Sequence, residues 1–109
     1  MKVVWSVEAE ACLAEIEDYI ARDNPEAAER WVTRLIERVS PLEDFPEMGH
    51  VVPEYEDSRV RELLVRGYRI FYVVRGDTVC IATVFEGHRL PPPLDAVLDA
   101  RPNDEAEPA

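Results

Sequence analysis

Apolar residues recur along the chain with two different periods, and the change of period divides it into elements. Lys2–Trp5 (KVVW) is a short β-prone run. From Ser6 onward the spacing turns helical: Cys12, Leu13, Ile16, Tyr19 and Ile20 form one stripe of an amphipathic helix of about four turns, ending near Arg22. Ser6 is placed to cap it, and Glu8 and Glu10 lie where negative charge suits a helix N-terminus. The stretch RDNP then restarts the pattern, with Asn24 as cap, Pro25 at the first helical position and Glu26 complementing the dipole. Ala28, Trp31, Leu35, Ile36, Val39 and Leu42 make the second stripe, and so short a turn folds the two helices into an antiparallel hairpin.

The stretch FPEMGHVVPEYEDS (Phe45–Ser58) has the proline, glycine and acid content of a connecting loop. Three strand-like runs follow, Arg59–Val65, Tyr68–Arg75 and Thr78–Glu86. Arg66-Gly67 and Gly76-Asp77 separate them and are short enough for hairpin turns. The pattern predicts an α+β fold: an N-terminal strand, a helical hairpin and a three-stranded antiparallel meander, with the hairpin covering one face. Past Leu90 the proline, alanine and acid content predicts a flexible, mostly disordered tail over residues 91–109, with Leu94, Val97 and Leu98 able to form one helical turn. On this reading the domain is 1–90, and removing Asp95–Ala109 leaves it nearly intact. No internal repeat is present.

Composition narrows the class. At 109 residues and 12.5 kDa the chain supports one modest core, and 47% apolar with 32% charged residues excludes wholesale disorder. Cys12 and Cys80 are far apart, each inside an apolar pattern, and read as buried free thiols without metal-ligand spacing. No cofactor or metal is expected. No apolar run is long enough for a signal peptide or a membrane span, so a soluble, cytoplasmic protein without membrane contact is expected.

The net charge of −11 is uneven: residues 1–57 carry −10, residues 58–90 carry +3 and residues 91–109 carry −4. An acidic protein repels polyanions at range, so any anion site must be local. Only the segment with Arg59, Arg61, Arg66, Arg69, Arg75 and Arg89 can supply one; decoration of the sheet is the alternative reading of these side chains.

Catalytic motifs are absent: there is no phosphate-binding glycine loop, nucleophile elbow, zinc-protease helix or dinucleotide fingerprint. His50 follows PEMG in a loop and reads as a surface residue. Arginine's planar fork suits a phosphate and the pentacovalent transition state of RNA cleavage. Such cleavage also needs an acid and a base, and His88, in FEGHR at a strand end, has a suitable intrinsic pKa. FEGHR therefore admits two readings, a nuclease centre or the polar end of a sheet that lines a binding surface.

The phrases AEIEDYIARDNPEAAERW, FPEMGHVVPE and VRELLVRGYRIFYVVRGDTVCIATVFEGHR, in this order and spacing, resemble the RelE/ParE superfamily of toxins from type II toxin–antitoxin systems. The resemblance runs from about Val3 to Leu90. It implies growth inhibition, plasmid stabilisation, and a hetero-oligomer with a cognate antitoxin that carries an amphipathic segment. The NPEAA helix start, the PEMG–VPE loop and the REL–YRIFY pair are closer to the ParE-like branch, whose members poison DNA gyrase by binding. The RelE-like branch consists of ribosome-dependent mRNA endonucleases, and a third possibility is an antitoxin-binding module without toxicity.

Carried over from the nuclease branch, Arg69 matches a phosphate-binding arginine, and Arg89 an arginine that stabilises the leaving group. Arg59 and Arg61 fall where that branch keeps basic residues, and His88 would supply an acid or base. As a binding toxin, the chain would use Arg59, Arg61, Arg69 and Arg89 to contact its target or partner. The nuclease branch is usually basic and brings a tyrosine from a C-terminal helix; this chain is acidic, has Pro91-Pro92-Pro93 there, and has no tyrosine after Tyr72. Those differences favour the gyrase-binding route over the ribosome and its mRNA.

Overall fold

The structure, a computed structural model, describes residues 1–103. The elements follow in the order β1 (Lys2–Trp5), α1 (Val7–Ala21), α2 (Pro25–Val39), a 3-10 turn over Ser40–Glu43, β2 (His50–Val51), β3 (Val60–Val65), β4 (Tyr68–Arg75), β5 (Thr78–Glu86) and α3 (Leu94–Leu98). The expected α+β architecture is present.

Both helix starts form as the sequence predicts. Ser6 Oγ accepts the Ala9 amide at 2.9 Å and donates to the Ala82 carbonyl at 2.9 Å, so one buried hydroxyl caps α1 and ties it to β5. Asn24 Oδ1 accepts the Ala27 amide at 3.0 Å, with Pro25 opening α2. Helix α2 ends at Val39, before Pro41, and Leu42 reaches the core from the 3-10 turn rather than from the helix.

The meander is the centre of a larger sheet. Five strands run in the order β1-β5-β4-β3-β2, with β1 parallel to β5 and the other pairs antiparallel. The β3–β4 turn places Arg66 (φ 47°) and Gly67 (φ 85°) in the left-handed region, the conformation of a two-residue turn that matches strand twist. The resulting register sets Leu64 opposite Arg69, Glu62 opposite Phe71 and Val60 opposite Val73.

Strand alternation gives the sheet two apolar faces. One, with Leu63, Val65, Ile70, Tyr72, Val79, Ile81 and Val84, packs against Ala9, Trp31, Leu35 and Val39 of the hairpin. Trp31 meets Tyr68 edge to face, with ring centroids 5.2 Å apart. The other face carries Val60, Phe71, Val73 and Ala82, and is covered by Val52 and Tyr55 from the loop and by Val97, Leu94 and Leu98 from α3.

That covering differs from the loose tail that composition predicts from residue 91. Val97 is 2% exposed, the Tyr55 hydroxyl donates to the Pro92 carbonyl, and Arg75 donates to the carbonyls of Ala100 (2.5 Å) and Leu98. Three apolar residues at one-turn spacing suffice because a half-covered sheet face waits for them. The acids Asp104, Glu105 and Glu107 of the expected tail lie outside the described residues.

The 45–51 loop is anchored by Tyr72, whose hydroxyl donates to the Pro46 carbonyl (2.8 Å) and accepts the Gly49 amide (2.9 Å). A side chain at Gly49 would bring its Cβ within 2.6 Å of that hydroxyl, so the close approach requires glycine.

Candidate functional site

The four arginines singled out by sequence occupy four different settings. Arg69 lies on the sheet face opposite the helices, along with Phe71. Its Nε and Nη2 donate to Glu62 at 2.8 and 3.0 Å, and its Nη1 and Nη2 donate to Glu54 at 2.6 and 2.8 Å. The guanidinium also stands 5.0 Å from the Phe71 ring centre and 5.7 Å from that of Phe85.

Glu62 is 6% exposed and accessible to little besides Arg69, whereas Glu54 reaches in from the loop. Hydrogen bonds from Arg69 hold the Glu54 carboxyl below its ordinary range, and the two carboxylates push the guanidinium's pKa further up. Two carboxylates on one guanidinium leave the cluster at a net −1. The four side-chain hydrogen bonds of the Arg69 fork go to those acids, so the cation is already neutralised from both sides.

Arg61 neighbours Glu62 in β3 and therefore points to the other face of the sheet. Its guanidinium donates to the carbonyls of Glu47 (3.2 Å) and Gly49 (2.8 Å), pinning the loop. Arg59, exposed at the loop's end, pairs with Asp57 at 2.7 Å and holds that carboxyl down at about 2. The nuclease carry-over, with Arg61 and Arg69 serving one centre, is thus not what the register brings together.

Arg89 lies beyond β5, where the chain turns beside the Arg66-Gly67 hairpin; Gly87 donates to the Gly67 carbonyl at 2.8 Å and Arg89 to the Glu86 carbonyl at 3.0 Å through their amides. With Cys12, Ile16, Tyr19, Tyr68 and Val84 it lines an open groove of about 420 Å³ between α1 and the end of the sheet. Glu15 and Glu86 flank the groove. Burial raises the Tyr68 hydroxyl, helped by the Glu86 charge. Tyr19 is 68% exposed and Leu90 91%, so this end of the molecule presents apolar surface beside Arg89.

His88 is exposed in that same turn, and no hydrogen bond or ion pair among the described residues joins it to Arg69, Arg61 or an acid. His50 is exposed in the edge strand β2. Cys80 is buried and burial pushes its thiol up, while Cys12 is half-buried 3.7 Å from Thr83 Oγ1. Among the described residues no group of three His, Cys, Asp or Glu side chains is placed to hold a metal, and no helix is long and apolar enough to cross a membrane.

Sequence reasoning about Arg69 missed its two acids. Glu62 carries a signal, since the two-residue hairpin puts it on Arg69's face; Glu54 sits in an irregular loop and carries none.

A β-strand, a helical hairpin and an antiparallel meander, with Arg69 held between Glu54 and Glu62 on the sheet face opposite the helices, define the class: a small α+β domain. The model of the ParE toxin of type II toxin–antitoxin systems (parDE) matches residues 3–91. The chain belongs to that family. It is 36% identical over 90 residues to "Toxin RelE2" of Caulobacter vibrioides, covering 82% of this chain and 98% of that protein. Among solved structures it is similar to a chain of the "Chromosomal ParDE TA system from P. aeruginosa", with a TM-score of 0.67 and 28% identity over 79% of this chain and 95% of that one.

Proposed function

We propose that this toxin acts by binding rather than by cutting RNA, that its target is DNA gyrase, and that a cognate antitoxin neutralises it. The observation that carries this reading is the state of Arg69. An RNA-cleaving centre needs a guanidinium free to meet the developing charge of a pentacovalent phosphate. Here the fork is filled by Glu54 and Glu62, and the cluster repels rather than attracts a phosphate. Proton transfer needs a group within hydrogen-bond reach of the reacting atoms, and His88 has no partner arranged with Arg69 for that work.

The antitoxin reading is supported by the family match and by the likeness to a chain from a ParDE system. The groove lined by Ile16, Tyr19, Tyr68 and Val84, with Arg89 at its rim, suits an amphipathic partner segment. Arg89 is the arginine of the expected set that remains available to such a partner or to the target.

Two measurements on the same preparation decide between the routes. Purified protein is expected to inhibit gyrase supercoiling, and its expression to induce the DNA-damage response and filamentation. His88→Ala is expected to change neither. Codon-positioned mRNA cleavage on the ribosome by the wild type, abolished in Arg69→Ala, would overturn this reading in favour of the endonuclease one.

A further inference from the structure

Phe45 and Met48 stand in water on a loop whose backbone is held from beneath. The buried Tyr72 hydroxyl bonds both the Pro46 carbonyl and the Gly49 amide, and Arg61 Nη1 donates to the carbonyls of Glu47 and Gly49. Within the loop the Phe45 amide donates to the Pro41 carbonyl at 2.9 Å, and the Met48 amide to the Phe45 carbonyl at 3.1 Å. A Phe45 side chain that is 64% exposed adds little burial energy to the fold, so this bonding fixes how the loop is displayed rather than how it packs.

Single exposed apolar residues are ordinary. Two on one fixed turn, enclosing with Pro46 and Glu47 a shallow hollow of about 500 Å³, form a ready seat for an apolar side chain. A loop fixed beforehand has already lost the conformational entropy that a mobile one loses on docking. Phenylalanine and methionine are the side chains enriched at interface centres, and methionine adapts its shape to what it meets.

The rim selects the partner. Glu43, Asp44 and Glu47 are exposed, and none is in an ion pair among the described residues. Two cations touch this part of the chain, Arg61 and the N-terminal ammonium, and both are turned to backbone carbonyls, of Glu47 and Gly49 and of Glu43. The three carboxylates therefore dominate the rim and favour lysine or arginine. They repel nucleic acid and anionic lipid, and a second copy of this chain brings a net charge of −11 of its own.

We propose that the Phe45–Met48 loop is a docking site for a basic segment of a protein partner. The segment seats an aromatic or aliphatic side chain in the hollow and sets its lysines or arginines against Glu43, Asp44 and Glu47. This site shares no lining residue with the Arg89 groove and does not rest on the gyrase reading.

A random-peptide phage library selected on the immobilised full chain tests this, with enriched peptides titrated by fluorescence anisotropy against wild type and variants. Enriched sequences are expected to place lysine or arginine beside an aromatic or aliphatic residue. Phe45→Ala is expected to weaken their binding about tenfold, as loss of a central aromatic contact does. The same variant is expected to melt within about 3 °C of the wild type, because the side chain is exposed. Asp44→Asn with Glu47→Gln is expected to weaken binding about threefold at low salt and to flatten its salt dependence. Failure to enrich such sequences, or peptides that bind Phe45→Ala as tightly as the wild type, would overturn the proposal. So would a Phe45-dependent dimer in sedimentation, or Phe45-dependent binding to phosphatidylcholine vesicles, each of which names a different occupant.

Discussion

Arg69 shows how one side chain changes meaning with its neighbours. By itself an arginine on a middle strand offers a phosphate-binding fork; between Glu54 and Glu62, with Phe71 and Phe85 against its plane, it is a strut that ties the loop to the sheet. The strut is pH-sensitive, and the sign follows from the pKa directions. Glu54 is lowered from 4.5, and Asp57 is lowered from 3.8 to about 2, both by arginine partners. Carboxyls lowered by folding stabilise the native state above their unfolded values, and that contribution disappears as pH falls through the folded values. Wild-type melting temperature is therefore expected to fall on acidification from 4.5 toward about 2. Glu54→Gln, which at neutral pH costs under about 1 kcal/mol because the Glu54 carboxylate is open to solvent screening, is expected to show a shallower fall. Thermal melts of both proteins across that range check this, and parallel curves would remove Glu54 from the account. Half of this cluster was legible in the sequence. Register puts Glu62 on Arg69's face once Arg66-Gly67 is read as a two-residue turn. Glu54 was not, because it arrives through a loop in which Glu56 adopts a φ of 51° and no periodicity applies.

At the scale of elements, legibility tracked local signal. The hairpin of α1 and α2 and the strands β3, β4 and β5 each carry caps, turns or long periodic runs, and each appears close to its expected bounds. The position of β1 was not legible, since a parallel pairing of Lys2–Trp5 with Thr78–Ile81 joins distant residues without a turn to announce it. The same holds for α3, five residues whose helix depends on the sheet face beneath rather than on propensity. Composition alone led to the expectation that losing Asp95–Ala109 costs little; packing reverses it. Deletion removes Val97 and Leu98 from the far-face cluster and uncovers Phe71, Val73 and Ala82. Burying one such side chain is worth about 2 kcal/mol, and each kcal/mol shifts a domain of this size by roughly 5 °C. The truncated chain is expected to melt at least about 10 °C lower, with Val97→Ala giving a smaller loss in the same direction. A melting temperature unchanged by the deletion would mean that α3 contributes no net stability.

For the whole molecule, the arrangement of charge matters more than its total. The six arginines of residues 59–89 could have formed one positive surface on a chain of net −11, but the fold disperses them. Arg59 goes to Asp57, Arg61 to loop carbonyls, Arg69 to two glutamates and Arg75 to the carbonyls around α3. What is left is a mostly acidic body with Arg66 exposed in the β3–β4 turn and Arg89 beside an apolar groove, a surface suited to a protein partner rather than to a polyanion. The wild type is accordingly expected to bind single-stranded RNA no more tightly than about 10⁻⁴ M at physiological salt, the weak end of non-specific nucleic-acid binding. Neutralising both acids, with Glu54→Gln and Glu62→Gln together, turns the Arg69 cluster from a net −1 to +1 while leaving oxygen acceptors in place. That variant is expected to gain RNA affinity about tenfold at low salt and to lose the gain as salt rises, as one added phosphate contact requires. Titration of labelled RNA at two salt concentrations reads both effects. Micromolar, salt-sensitive binding by the wild type would show that its arginines do act together despite their separate partners.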